Sequence, residues 1–228
     1  MYLYVHVKGV LDSILALIGL IVLLPVFLIV IAAIKLESPG PAFFKQERLG
    51  KDGKVFNIYK FRSMCVGAES GGVYELKGDT RVTKVGKFIR VLSIDEFPQF
   101  INILRGEMSI IGPRPTLTYH PWPLEDYSPA QKKRFDVRPG VTGWAQIHGR
   151  KGLQWEDRLE YDVEYVQKLS FLLDLKIFFK TIAKVFLMKD NINTSKTTDM
   201  KIPLSGENHP VSKKTENPPQ SVHTKVST

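Results

Sequence analysis

The chain has 228 residues, of which 43% are hydrophobic and 24% charged, a composition typical of one folded domain with additional segments. Its 32 Lys and Arg residues outnumber 23 acids, so the formal net charge is +9. Such an excess indicates an anionic partner, whether nucleic acid, lipid headgroups or phosphorylated substrates. The single cysteine, Cys65, excludes an intrachain disulfide framework and a Cys-rich zinc site.

Residues 10–34 form an apolar segment of about 25 residues near the N-terminus. As a helix it would extend roughly 37 Å, enough to cross a hydrocarbon core of about 30 Å. This segment is longer than the apolar run of about 7–15 residues in a signal peptide, which argues against cleavage. Pro25 removes a backbone donor in mid-segment and favours a re-entrant helix, and Lys8 and Lys35 flank the segment on both sides. From these residues alone, a spanning helix and a re-entrant helix are equally supported.

Short elements follow the apolar segment. Residues 42–49 and 55–64 are extended runs separated by an Asp-Gly turn, which predicts a β-hairpin. The glycine-rich residues 67–78 predict a mobile loop, and residues 85–92 predict a short basic helix.

Residues 95–105 predict a clearer helix. Its apolar residues recur at i, i+3, i+4 and i+7; they are Phe97, Phe100, Ile101 and Leu104. With Asp95 as the N-cap, Pro98 falls in the first turn, where no backbone donor is needed. We therefore expect Asp95 to cap this helix.

The remainder predicts loops, two helices and a tail. Residues 110–115 and 137–149 are rich in Gly and Pro and predict ordered loops. A charged helix is predicted over residues 155–168, and a second helix over residues 171–189. The second helix carries lysines at i+4 spacing on an apolar surface, so an interfacial helix and a buried helix with snorkelling lysines are equally supported. Residues 190–228 contain few apolar groups and predict disorder.

Asp95 and Glu96 are the first candidates for chemistry. Acids at a helix start commonly serve as caps and interact with the helix dipole. In the functional interpretation, the helix N-terminus with Lys87 and Arg90 keeps Asp95 ionised. An ionised carboxylate can attack phosphorus, and Glu96 can supply an oxygen ligand for Mg²⁺.

Arginines in rigid Gly/Pro surroundings indicate a phosphate-rich substrate, because a fixed guanidinium suits bidentate phosphate recognition. The predicted phosphate-binding set consists of Lys60, Arg62, Arg90, Arg114, Arg138 and Arg150. Walker-type, dinucleotide-binding and nucleophile-elbow motifs are missing from the sequence. We interpret Glu160, Asp162 and Glu164 as surface charge.

Five ordered blocks make the chain recognisable. They are residues 38–48 (SPGPAFFKQER), 59–64 (YKFRSM), 92–99 (LSIDEFPQ), 108–115 (MSIIGPRP) and 138–146 (RPGVTGWAQ). From residue 7 to about residue 189 the chain resembles the bacterial sugar transferase family, the monotopic phosphoglycosyl transferases, in their minimal catalytic form.

The resemblance implies an α+β, membrane-associated fold. We expect a re-entrant helix over residues 1–37, a small cytosolic catalytic domain with interfacial helices over residues 38–189, and a disordered tail over residues 190–228. The family breaks its re-entrant helix at a Ser-Pro pair, where this chain has Leu24-Pro25. The implied location is the bacterial inner membrane, with the catalytic domain facing the cytoplasm.

The resemblance also implies a reaction. A phosphosugar passes from a UDP-sugar to a polyprenyl phosphate, usually undecaprenyl phosphate, and UMP leaves. Asp95 takes the position of the family's covalent nucleophile and Glu96 that of its acidic partner, which acts with Mg²⁺. The product initiates assembly of a capsule, an exopolysaccharide, an O-antigen or a glycoprotein glycan. The implied partners are the two substrates and the lipid bilayer rather than nucleic acid, and a homodimer is left open.

Two other functions fit parts of the pattern. A membrane-bound glycosyltransferase would move only the sugar and release UDP, so the nucleotide product separates it from the first interpretation. A non-catalytic basic membrane adaptor would bind its partners unchanged after replacement of Asp95, but it would not need an acid pair beside rigid arginines.

Overall fold

The computed structural model describes residues 2–72, 78–149 and 153–186. These residues form a mixed helix and sheet structure, which confirms the α+β prediction. The helices are α1 (Tyr2–Glu37), α2 (Lys84–Val91), α3 (Gln99–Leu104), α4 (Pro129–Lys132), α5 (Trp144–Gly149), α6 (Trp155–Gln167) and α7 (Phe171–Phe186). The strands are β1 (Phe43–Leu49), β2 (Val55–Phe61), β3 (Ser109–Ile111) and β4 (Gly140–Thr142). The predicted tail over residues 190–228 and the predicted site residue Arg150 lie outside the described residues.

The predicted hairpin is confirmed. Strands β1 and β2 pair antiparallel, with Phe43 opposite Phe61 and Leu49 opposite Val55. The turn between them contains Asp52, whose φ of 57° is a left-handed conformation that Asp tolerates better than most residues. The hairpin places Lys60 near the end of β2.

The second sheet corrects the predicted loops. Strands β3 and β4 pair in parallel, with Ser109 opposite Gly140 and Ile111 opposite Thr142. A Cβ on Gly140 would lie 2.1 Å from the backbone nitrogen of Gly112, so only glycine permits this approach of the two chains. The Gly/Pro-rich composition suggested loops because three-residue strands carry too short a pattern to be recognised.

Helix α1 runs for 36 residues with Pro25 inside it and ends at Glu37, at the predicted boundary of the first segment. One of its faces packs into the core of the following residues: Phe27 and Ile34 share a buried cluster with Phe61 and Ile89. Elsewhere its surface is apolar and exposed, as at Val22, which is 67% exposed. By length and composition alone, α1 is able to cross a membrane.

Both ends of α1 are bonded to the same body of the protein. Near the N-terminus, the Tyr4 hydroxyl donates to the Asp174 carboxylate at 2.6 Å, and Lys8 Nζ lies 2.9 Å from the same carboxylate. At the C-terminus, the Glu37 carboxylate accepts from the backbone nitrogens of Lys84 at 2.6 Å and Val85 at 2.9 Å. The helix therefore contacts the body along its length.

The helix predicted over residues 95–105 is shorter than expected. A 3₁₀ turn, Ile94–Glu96, comes first, and α3 begins only at Gln99 with Pro98 in the N-cap position. The prediction that Asp95 caps this helix is therefore wrong. Ser93, with a φ of 58°, precedes the turn and directs the chain away from the α-helical path at that point.

The two C-terminal helices lie where they were predicted. Only Asp174 and Ile177 are buried over residues 171–180 of α7, while large side chains such as Leu172 and Phe179 are 75% and 60% exposed. This exposure argues against the interpretation of α7 as a buried helix.

Candidate active site

Three separate segments bring charged side chains together around Glu96. The Glu96 side chain is buried, and its Oε1 accepts from Lys60 Nζ at 3.2 Å. The same oxygen accepts from Arg114 Nη1 at 3.4 Å and Nη2 at 3.3 Å. Lys60 comes from β2, Glu96 from the turn before α3, and Arg114 from the chain after β3. The fold thus joins three of the predicted site residues.

Asp95 is partly buried beside this cluster. Burial raises the pKa of its carboxyl above the ordinary value of 3.8; Lys60 opposes this, Glu96 adds to it, and Arg90 opposes it. The sequence predicts that Lys87, Arg90 and a helix N-terminus keep Asp95 ionised. In the structure, Lys60 is the cation with the largest effect on Asp95, because the chain turn carries the acid pair toward β2.

Lys60 shows the complementary shift. Burial lowers the pKa of its ammonium below the ordinary value of 10.5, while the neighbouring Glu96 raises it and Arg114 lowers it. Burial thus disfavours the charged form of both the Asp95 carboxyl and the Lys60 ammonium. Groups whose pKa values are shifted in this way are often found at functional sites.

Arg48 is a neighbour of this cluster that the site prediction did not contain. Burial lowers the pKa of its guanidinium to about 10, and the repulsion of Arg114 adds to the effect. Its Nη1 donates to the carbonyl of Pro115 at 3.2 Å. The signal was its place at the end of the first recognised block, residues 38–48, but only the path of β1 brings it to Arg114.

Arg62 is bonded to the segment that ends α1. Its Nη2 donates to the carbonyl and hydroxyl of Ser38 at 2.8 and 3.0 Å and to the carbonyl of Ile34 at 3.4 Å. Its Nη1 donates to the carbonyl of Pro39. The buried guanidinium therefore binds carbonyls at and just beyond the C-terminal end of α1, where backbone acceptors run short of helix partners. The predicted phosphate-binding role of Arg62 stays a prediction.

The other predicted arginines occupy separate places. Arg90 lies in the last turn of α2 and acts electrostatically on Asp95. Arg138 lies against α1, since a Cβ on Gly9 would be 3.2 Å from its Nη1. The structure thus brings Arg90 to the acid pair and places Arg138 beside the N-terminal part of the apolar helix.

The interpretation of Asp162 as surface charge is wrong. Its side chain is fully buried on α6 and forms an ion pair with Arg134, with Oδ2 at 2.7 Å from Nη2. Residues two apart on a helix face different directions, so the alternating acids 160, 162 and 164 could not all face solvent.

The acid pair contains Glu96, the residue for which the sequence predicts a magnesium ion. Among the described residues, no group of three or more His, Cys, Asp or Glu side chains is arranged to hold a metal. Mg²⁺ commonly takes one or two protein carboxylates and completes its shell with water and substrate phosphates. Glu96, the residue predicted to hold Mg²⁺, could supply one such carboxylate, and this role stays a prediction.

The fold combines a long apolar helix with a cluster of charged side chains around an acid pair. The family model of the bacterial sugar transferases matches residues 3–188, and the chain belongs to that family. This membership confirms the family predicted from the five sequence blocks.

Individual relatives agree with the family. The chain is 44% identical over 182 residues to the uncharacterized sugar transferase EpsL of Bacillus subtilis (strain 168), covering 80% of this chain and 88% of that protein. It is 44% identical over 184 residues to the UDP-glucose:undecaprenyl-phosphate glucose-1-phosphate transferase of Escherichia coli (strain K12), covering 78% of this chain and 40% of the relative.

A third relative is the UDP-N-acetylgalactosamine-undecaprenyl-phosphate N-acetylgalactosaminephosphotransferase of Aeromonas hydrophila. The chain is 44% identical to it over 187 residues, covering 80% of this chain and 44% of that protein. The matched part is therefore less than half the length of these two named transferases. The names confirm the prediction of a sugar-phosphate transferase enzyme.

Proposed function

We propose that the protein transfers a phosphosugar from a UDP-sugar to undecaprenyl phosphate, releasing UMP and forming a polyprenyl-diphosphate sugar. The observation that carries this proposal is the acid pair Asp95-Glu96, which lies among partly buried cations on a body that packs against the apolar helix α1. The relatives whose names state this reaction support it. Exopolysaccharide or capsule synthesis is the corresponding pathway.

The charges of the site suit a diphosphate. Four cations, Arg48, Lys60, Arg90 and Arg114, act on two carboxylates, so the cluster carries an excess of positive charge. A nucleotide diphosphate sugar bears two negative charges on its diphosphate and would offset that excess. Arg114 is suited to this contact because its side chain is 36% exposed, whereas that of Lys60 is 17% exposed.

The proposed chemistry begins with Asp95. Its carboxylate oxygen attacks the phosphorus that carries the sugar and forms an aspartyl-phosphosugar. The bond between that phosphorus and the bridging oxygen breaks, and the electron pair leaves with that oxygen on UMP. Lys60 and Arg114 lie where they can offset the charge that develops on the phosphates, as preorganised donors do in phosphoryl transfer.

The second half-reaction regenerates Asp95. A phosphate oxygen of the lipid acceptor attacks the phosphosugar, and the aspartyl oxygen leaves with the electron pair of its bond to phosphorus. Glu96 holds Lys60 and Arg114 toward the reacting groups throughout. A bound Mg²⁺ would offset phosphate charge at Asp95 and Glu96.

A re-entrant arrangement of α1 at the cytoplasmic face of the inner membrane supports access to the lipid acceptor. A helix that crossed the bilayer would place its two ends on opposite sides of a hydrocarbon core of about 30 Å. Residues near both ends of α1 contact the same body, since Tyr4 donates to Asp174 and Glu37 accepts from the backbone nitrogen of Lys84. Its exposed apolar surface, together with that of α7, would then lie in the lipid.

Cysteine labelling of intact cells tests this topology. We expect a cysteine in a short extension before Met1, in a Cys65→Ser background, to react with an impermeant reagent only after the inner membrane is permeabilised. The matched control is the wild-type chain, whose one cysteine, Cys65, is an exposed thiol of the same body and should behave identically. Labelling of the N-terminal cysteine from outside, with Cys65 protected, would establish a spanning helix.

The pH profile of UMP release should be bell-shaped. Asp95 must be ionised to attack, and burial raises its pKa above 3.8, so activity should fall on the acid side at a higher pH than for an ordinary Asp. Lys60 must be charged, and burial lowers its pKa below 10.5, so activity should fall on the alkaline side before an ordinary Lys titrates.

Single-turnover measurements from pH 4 to pH 11 check this profile. The variant Lys60→Arg, whose guanidinium remains charged, should move only the alkaline limb to higher pH. A profile that is flat down to pH 4, or an alkaline limb unchanged in Lys60→Arg, would contradict these assignments.

A further inference from the structure

Residues 113–116 follow β3 and contain two prolines, so this segment has few backbone N–H donors. Pro113 and Pro115 have no N–H, so they can be held only through their carbonyls. The carbonyl of Pro113 accepts from Gly140 N at 2.9 Å, and that of Thr116 accepts from Leu49 N at 2.9 Å. Backbone hydrogen bonds thus fix the two ends of the segment.

The carbonyls between these ends are held by side chains. Arg134 Nη2 donates to the carbonyl of Arg114 at 2.7 Å, and Arg48 donates to that of Pro115 at 3.2 Å. Arg134 Nη1 also donates to the Thr116 hydroxyl at 3.3 Å. The buried guanidinium of Arg134 therefore holds both the backbone carbonyl of Arg114 and the side chain of Thr116. The prolines of this segment prevent it from pairing as a regular strand.

Asp162 fixes that guanidinium from the opposite side. Its Oδ2 accepts from Arg134 Nε at 3.1 Å and from Nη2 at 2.7 Å. The two side chains are 0% and 2% exposed, so the pair is withdrawn from water. Within the described residues, the other oxygen, Asp162 Oδ1, has no hydrogen-bond partner.

A buried ion pair is a poor source of stability, because the desolvation of both charges offsets their attraction. Its geometry here has a different consequence. The carbonyl that Arg134 holds belongs to Arg114, whose guanidinium points to Glu96 at 3.3 Å. Holding that peptide group limits the directions in which the Arg114 side chain leaves the backbone.

We propose that Arg134 and Asp162 are positioning residues of the transferase site, which direct Arg114 toward the acid pair by holding its backbone carbonyl. Asp162 keeps the Arg134 fork in the orientation that reaches both Arg114 and Thr116. The inference rests on the proposed function, because Arg114 is the group through which the pair acts on the diphosphate.

A double-mutant cycle on the full chain tests the proposal. The variants are Arg134→Lys, Arg114→Ala and the combination, measured as the rate of UMP release in a single turnover with UDP-glucose. Lysine keeps the charge at position 134 but lacks the fork that donates to three acceptors at once. If Arg134→Lys does not yield folded protein, Asp162→Asn, which keeps the side-chain volume, replaces it in the cycle.

We expect Arg114→Ala to lower the rate by about 10²–10³-fold, as for the loss of one preorganised charge donor. Arg134→Lys should lower it by up to about 10²-fold through misplacement of Arg114. In the Arg114→Ala background, Arg134→Lys should have no further effect, because the group that it positions is gone. The affinity for UDP, measured by equilibrium binding, should change much less than the rate.

The matched control is Ile177→Val, which trims a fully buried side chain on α7. It should lower the melting temperature without changing the single-turnover rate of the folded enzyme. Multiplicative losses in the double variant, or an Arg134→Lys rate equal to that of Ile177→Val, would overturn the proposal. A wild-type chain that releases no UMP from a panel of UDP-sugars would instead overturn the proposed function.

Discussion

Asp95→Asn should eliminate UMP release in the absence of lipid acceptor. The wild-type enzyme with a UDP-sugar alone should release at most about one UMP per active site and gain the mass of one phosphosugar, because a covalent intermediate stops after its first half-reaction. Asparagine has nearly the same shape as aspartate but cannot form the aspartyl phosphate. We expect a loss of turnover on the order of 10⁶-fold, as for the removal of the nucleophile of a serine protease.

The same substitution should leave stability unchanged or raise it. Burial raises the pKa of Asp95, so the folded protein disfavours the ionised carboxylate that is present at neutral pH. Asparagine removes that charge, and since α3 begins at Gln99, no helix cap is lost. Differential scanning calorimetry should therefore show an unaltered or higher melting temperature, the pattern expected where function and stability conflict.

The exposed Asp136→Asn is the matched control and should retain both activity and stability. Wild-type turnover in Asp95→Asn would place the chemistry elsewhere. Sequential kinetics without a mass adduct in the wild type would mean that the lipid phosphate attacks the donor directly. Release of UDP rather than UMP would identify an ordinary glycosyltransferase.

Removal of divalent metal should have the second largest effect. EDTA should abolish both the UMP burst and the phosphosugar adduct, and Mg²⁺ should restore them, because an anionic Asp95 repels an unscreened diphosphate. Glu96→Gln should require a higher Mg²⁺ concentration and should also lower the maximal rate, since a neutral amide holds Lys60 and Arg114 less strongly.

Glu47→Gln, an exposed substitution on β1, is the control and should match the wild type at every Mg²⁺ concentration. Full activity in EDTA would remove the metal from the proposed chemistry. A Glu96→Gln variant with normal Mg²⁺ dependence but a lower rate would restrict Glu96 to holding the two cations.

Local patterns in the sequence determined much of the fold. The Asp-Gly turn between alternating runs specified the hairpin of β1 and β2, and apolar runs of sufficient length specified α1 and α7. These predictions succeeded because each depends on residues that are neighbours in the chain. The acid pair was also found from sequence, through its place in a recognisable block.

Only the tertiary structure decided what surrounds the acid pair. The hydrogen-bond donors to Glu96 are Lys60 and Arg114, and the acceptors of Arg62 lie at the end of α1. All of these partners are distant in the sequence, so no local pattern predicts them. The parallel pairing of β3 and β4 escaped prediction for the same reason, since it joins short strands about 30 residues apart.

Asp162 illustrates the physical reason. As one of three alternating acids it has the local sequence of a solvated helix face, yet it is fully buried against Arg134. Whether a charged side chain is solvated or paired depends on which distant segment packs over it. The packing of distant segments is set by the tertiary fold and not by the local sequence. Sequence alone therefore located the acid pair, while the positions of the cations that act on it were set by the packing of the hairpin, the loop after β3 and α6 around the turn at Asp95.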